Sequence, residues 1–183
     1  MLMKPPVKIL ITLAMVLALT GSALGAEVRF QNQEVKDSVL TVSFLVEGYQ
    51  RKDIIEAIRR GMEVKITYHV ELIENRLMGS RVLKRSVFSR SIKYDYWNKA
   101  FQVKERDKSS LFQSEGAMLE YFFSVKSLPV ANTRTLSGGD LAVRIKAELK
   151  SVELYFPMNL IFKYIVGFWD FKTAWSKGPP LRL

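Results

Sequence analysis

Apolar and polar residues alternate along most of this chain, and a period of two predicts strands. Leu40, Val42, Phe44 and Val46 alternate with Thr41, Ser43 and Leu45, behind the turn-forming Lys36-Asp37-Ser38. Residues 28–35 and 39–46 therefore read as a hairpin. The period lengthens from Arg51 to Arg60. There Ile54, Ala57 and Ile58 share one helical face, Glu56 and Arg60 form an i,i+4 pair, and Gly61 sits where a helix would end. Strand patterning then returns. Val64, Ile66, Tyr68, Val70 and Leu72 point one way while Glu63, Lys65, Thr67, His69 and Glu71 point the other, giving a core face and a wet face.

After Met78-Gly79-Ser80, residues 81–94 read as the partner strand, with a slip of phase between Val87 and Phe88 of the kind a β-bulge produces. Residues 101–104 give a short strand. Ser114 is placed to cap a second helix, in which Ala117/Met118, Tyr121/Phe122 and Val125 recur at helical spacing. Residues 126–140 read as a loop, and Leu141, Val143, Ile145, Ala147 and Leu149 restore a half-exposed strand. Many one-sided strands, with too few helices for crossover connections, predict a mainly β fold: an antiparallel β-sandwich carrying two or three short helices.

The first 25 residues break this pattern. Lys4 and Lys8 precede an apolar run from Ile9 to Leu19, and Ala23-Leu24-Gly25 then offers small residues at the positions a signal peptidase accepts. That order predicts a signal peptide over 1–25, with a single sandwich-like domain over 26–183, exported to the periplasm or cell envelope. The apolar run falls short of the roughly 20 residues a spanning helix needs, and no later segment predicts a transmembrane helix.

Composition narrows the chemistry. The 183 residues include one histidine and no cysteine. Thiol nucleophiles, Cys-ligated metals and multi-His centres are excluded, and no cofactor is expected. His69 is the single conventional general base. A zinc or catalytic role for it would need carboxylates from elsewhere, such as Glu74 or Asp95, whereas its strand position predicts a solvated side chain. Glu71 and Glu74 have no apolar pocket indicated around them, and Ser137-Gly138-Gly139-Asp140 reads as a turn.

Charge is more informative than any motif. Twenty-eight Lys and Arg against 18 Asp and Glu give a net charge of +10, and between Arg76 and Lys104 eight basic residues accompany one acid, Asp95. Arg81, Lys84, Arg85, Arg90, Lys93 and Lys99 are the candidate anion- or partner-binding residues. The competing reading is a set of edge-protecting cations that keep strands from pairing with neighbours. Export argues against nucleic acid, although Tyr94, Tyr96, Trp97 and Phe101 interleave these charges. A second concentration, of aromatic residues from Tyr155 to Trp175, reads as core-sealing structure or as a surface for a membrane interface.

The order of segments resembles the bacterial exported domain-of-unknown-function family 4390. The matching pieces are the Ala57…Gly61 helix end before a long strand, Ile92-Lys93-Tyr94-Asp95 leading to Phe101-Gln102-Val103, and Ala117-Met118-Leu119. Further along come Arg144-Ile145-Lys146-Ala147-Glu148-Leu149, Glu153-Leu154, Pro157-Met158, and Trp169-Asp170 with Trp175. The resemblance implies an exported domain without an assigned activity and carries over no functional residue. The expected function is a non-enzymatic binding or accessory module with a basic surface, its partner an envelope protein or an anionic envelope surface. The alternatives are an envelope hydrolase built from carboxylates and His69, and a peripheral membrane-associated protein.

Overall fold

The structure is a computed structural model that describes residues 25–136, 139–151 and 170–181. The expected leader, the 137–138 turn and the aromatic stretch up to Trp169 lie outside the described residues. Two antiparallel sheets make up the fold, in agreement with the mainly β, sandwich-like expectation. The small sheet has the order β1-β2-β7, formed by Glu27–Lys36, Val39–Glu47 and Ser124–Asn132. The large sheet runs through β3 (Val64–Arg76), β4 (Gly79–Asp95), β5 (Ala100–Glu105), β6 (Lys108–Phe112) and β8 (Leu141–Ser151). The two-residue strands β9 (Phe171–Lys172) and β10 (Ser176–Lys177) both pair with β8.

The first hairpin forms where alternation predicts it. Asp37 and Ser38 both take positive φ, which matches the twist of a tight two-residue hairpin. Leu40, Val42, Phe44 and Val46 then face the core, and Phe44 meets Tyr68 of the large sheet edge to face, with ring centroids 5.4 Å apart. Helix α1 (Arg51–Arg59) buries Ile54, Ala57 and Ile58 as its period requires. It ends in paired backbone bonds, Gly61 N–H to Ile58 O and Met62 N–H to Ala57 O, which need the left-handed φ of +88° at Gly61. In β3 the face carrying Val64, Ile66, Tyr68, Val70 and Leu72 is buried throughout.

Three expectations are corrected. The slip in β4 lies at Leu83, opposite the Leu72/Ile73 step, and not between Val87 and Phe88. Val87 keeps its phase and points outward, half exposed, so two adjacent apolar residues mark a wet-face valine beside a core phenylalanine. The first part of the 126–140 region, through Asn132, is strand: β7 holds its place on β2 through Leu40↔Ala131 and Phe44↔Val125 despite Pro129 and the positive φ of Ser127. Pro129 and Ser127 are what hid it, because both interrupt the alternation that signals a strand. In helix α2 (Glu115–Phe123) the buried stripe is Met118, Leu119, Phe122 and Phe123, one residue on from the expected pairs, and Val125 belongs to β7. The Ser114 cap is present, its Oγ accepting from the Ala117 N–H.

Candidate functional site

The β3–β4 hairpin gives the molecule its most conspicuous surface. β5 pairs with β4 only over Arg90–Asp95, so residues 79–89 of β4 have β3 on one side and no strand on the other among the described residues. At the tip, Leu77 and Met78 are fully exposed. Beneath the arm, a groove of about 350 Å3 has Leu72 and Ala131 at its floor and Arg81, Leu83, Lys84 and Asn132 around it. Arg81 and Lys84 reach this groove because the bulge at Leu83 restores their phase with Glu74 and Leu72. Neither cation has an acid partner among the described residues, whereas the nearby Glu74 accepts from Arg76 at 2.7–2.8 Å.

The outer face of the large sheet is organised differently, as rows in which one carboxylate serves two cations. Glu71, Arg85 and Arg144 stand in one cross-strand row, and the Glu71 carboxylate accepts from Arg85 Nε at 2.7 Å and from Arg144 Nε at 2.7 Å. Burial pushes the Glu71 carboxyl up, but the hydrogen bonds from Arg144 and Arg85 and their charges outweigh it and hold it below its ordinary value. Glu148 is pulled down to about 2, chiefly by hydrogen bonds from Lys146 and Lys172, against desolvation. Trp175 covers the row, with the Arg144 guanidinium 4.7 Å from its ring centroid.

This charge lattice carries a pH signature. A carboxyl whose folded pKa lies below its unfolded value stabilises the fold fully above the unfolded pKa and loses that contribution as pH falls through the folded one. Thermal stability is therefore expected to drop between the ordinary carboxylate value of 4.5 and about 2. Glu148→Gln should flatten that acid limb in a series of melts from pH 6 to pH 2. An acid limb identical in the two proteins would show that Glu148 does not carry it.

The six candidate cations do not form one surface. Arg81 and Lys84 line the groove, while Arg85 lies on the opposite face and is paired with Glu71. Arg90 is buried. Its guanidinium donates to Glu105 at 2.7 Å, to Ser124 O at 2.7 Å and to Tyr121 O, so it holds the carboxyl end of α2 against β4. Lys93 and Lys99 belong to the far end of β4, where Lys93 stands beside Trp97 and Lys99 takes a positive φ in the turn. From Arg81 to Lys93 the strand runs about 40 Å at ordinary rise. That is several times the Debye length of about 8 Å, so the two ends act as separate charges.

His69 is on the wet face as expected, with Nε2 3.8 Å from Glu148. The acids weighed as its companions are elsewhere. Glu74 lines the groove on the other face, and Asp95 accepts from the backbone N–H groups of Trp97 and Asn98 to fix the β4–β5 turn. No group of three metal-ligating side chains occurs among the described residues. Sequence reading missed the groove, whose wall comes from residues 131–136. The available signal was the pairing of the apolar Leu83 with flanking cations.

Fold and surface together define a small antiparallel sandwich with a projecting basic hairpin. Over residues 23–178 the chain matches the model of the Domain of unknown function (DUF4390), and it belongs to that family. No curated protein and no solved structure matches it.

Proposed function

We propose that this protein is an exported binding or accessory module of the cell envelope that presents the arm of β4 to an anionic partner. The observation that carries the reading is the pair Arg81 and Lys84, which form no ion pair among the described residues, beside a strand edge that no described strand covers and a groove. On the same hairpin, Arg76, Arg85 and Arg90 are engaged by Glu74, Glu71 and Glu105, so Arg81 and Lys84 are its two cations that combine a groove with freedom to meet an external anion. The hydrolase reading finds less support. The carboxylate nearest His69 is held ionised by two lysines, and a general acid needs its pKa raised rather than lowered. The order of Lys4 and Lys8, an apolar run and Ala23-Leu24-Gly25 supports the envelope location.

A photo-reactive residue at Leu83, introduced into the full chain in its host, should give an adduct of defined mass that fades in Arg81→Glu/Lys84→Glu. The same probe at the exposed Lys52 is the control. Adducts that are equal at the two positions and indifferent to charge reversal would overturn the reading.

Peripheral membrane association is a second reading, favoured by the fully exposed Leu77 and Met78 at the hairpin tip. Co-sedimentation with anionic vesicles that is lost in Leu77→Ser/Met78→Ser would support it.

A further inference from the structure

We infer that residues 79–89 of β4 take up an extended segment of a partner protein by strand addition, and that this segment carries acidic residues at alternate positions. The inference rests on the reading of the arm as a binding surface and specifies what binds and how. Backbone comes first. A strand paired on one side leaves a row of N–H and C=O groups on the other, and an extended peptide can complete that ladder. Among the described residues β4 offers such an edge through residues 79–89, where β5 has not yet begun to pair.

Charge then selects the occupant. Arg81 and Lys84 share the groove side of the arm, and no acid of the described residues pairs with either. Glu74 is held by Arg76, and Glu71 lies between Arg85 and Arg144 on the other face. A second copy of the chain is a poor occupant. Antiparallel pairing of β4 with itself would bring this cation-rich segment against its own like charges, which destabilise when they face each other across a sheet. An acidic strand reverses the sign of that interaction.

Side-chain alternation sets the pattern of the ligand. Successive residues of an added strand point to opposite faces. One set would lie over the groove, near Arg81 and Lys84, where carboxylates are matched. The other set would lie on the outer face beside Val87, which is 51% exposed and offers apolar contact. Edge protection accounts poorly for this surface, because Leu83 and Val87 place exposed apolar area along the same open edge that cations are supposed to guard.

The test uses the full chain and fluorescein-labelled decapeptides, read by fluorescence anisotropy at low and physiological salt. The probe is an alternating Glu–Val peptide. Two companions carry backbone N-methyl groups on all Glu or on all Val residues, and a third is the Lys–Val analogue. Strand addition through one edge uses the N–H groups of alternate residues only. One methylated peptide should therefore lose about tenfold or more in affinity while the other keeps it, as loss of several ladder bonds demands. The Lys–Val peptide should not bind, and Arg81→Glu/Lys84→Glu should weaken the Glu–Val peptide while leaving the circular dichroism spectrum unchanged. Equal binding of both methylated peptides would overturn strand addition yet leave the basic-surface reading standing. Absence of Glu–Val binding at low salt would overturn the inference, and the Leu83 adduct reports on the underlying reading separately.

Discussion

Replacing Arg90 with methionine is expected to lower the free energy of unfolding by about 3–5 kcal/mol, the cost of removing a buried cation that holds several acceptors together. The guanidinium serves three acceptors at once: the Glu105 carboxylate and the carbonyls of Tyr121 and Ser124. It also lies 4.6 Å from the Tyr121 ring centroid. Methionine fills much of the same volume but leaves those oxygens without their donor, and an unsatisfied buried acceptor is the expensive outcome. Lys93→Met, on the exposed outer face of the same strand, should stay within about 0.5 kcal/mol, as surface changes usually do. Guanidinium titrations of the two variants at pH 7 decide the matter. Similar small losses would mean that Arg90 is not a structural cation. The expected loss carries a warning for functional work, since a phenotype of an Arg90 variant would report unfolding and say nothing about partner binding.

Tyr68→Ala should cost about 3–5 kcal/mol, as for other large aromatic-to-alanine truncations in a core. Tyr68 is fully buried, contacts Phe44 of the small sheet and Phe88 of β4, and donates its hydroxyl to Phe122 O at 2.7 Å. Burial pushes its phenol pKa well up, so the hydroxyl stays a donor at any working pH. Tyr68→Phe keeps the ring and removes only that donor, and should cost about 1–3 kcal/mol, the penalty for stranding one buried acceptor. The same titration separates them. If the Phe variant loses as much as the Ala variant, the ring contributes nothing beyond its hydroxyl, and the account of the inter-sheet contact fails.

The strands that the sequence made legible are those whose alternation is long and uninterrupted, namely β2, β3 and β8. Each has one face wholly in the core, so a period of two is written plainly into it. β6 escaped notice because Lys108-Ser109-Ser110-Leu111-Phe112 has no buried face of its own and is held through its pairing with β5. The candidate site divides along the same line. The excess of cations on β4 is visible in the sequence, but which of them are free depends on residues far away in the chain. Arg90 takes its partners from positions 15 to 34 residues on, and Arg85 is neutralised by Glu71 in a register that only the fold fixes. Groove formation likewise needs β7, a strand that a proline disguises.

The small sheet closes between distant parts of the chain. β7 joins β2 through partners such as Leu40 and Ala131, and Gln33 of β1 donates to Pro179 O at 3.0 Å. Gly178 packs so closely on Phe30 and Gln33 that any Cβ there would collide with them. During synthesis the β1–β2 hairpin is therefore made first and then waits with an open edge while about 80 further residues are added at roughly 5–20 per second before its β7 partner exists. The β3–β4 hairpin, also joined by a two-residue turn, waits in the same way, because the other edge of β3 is covered only when β8 has been made. A truncation before residue 124 would leave β2 with a bare apolar edge, and aggregation of such fragments, more than loss of any contact in the finished molecule, is the hazard built into this topology.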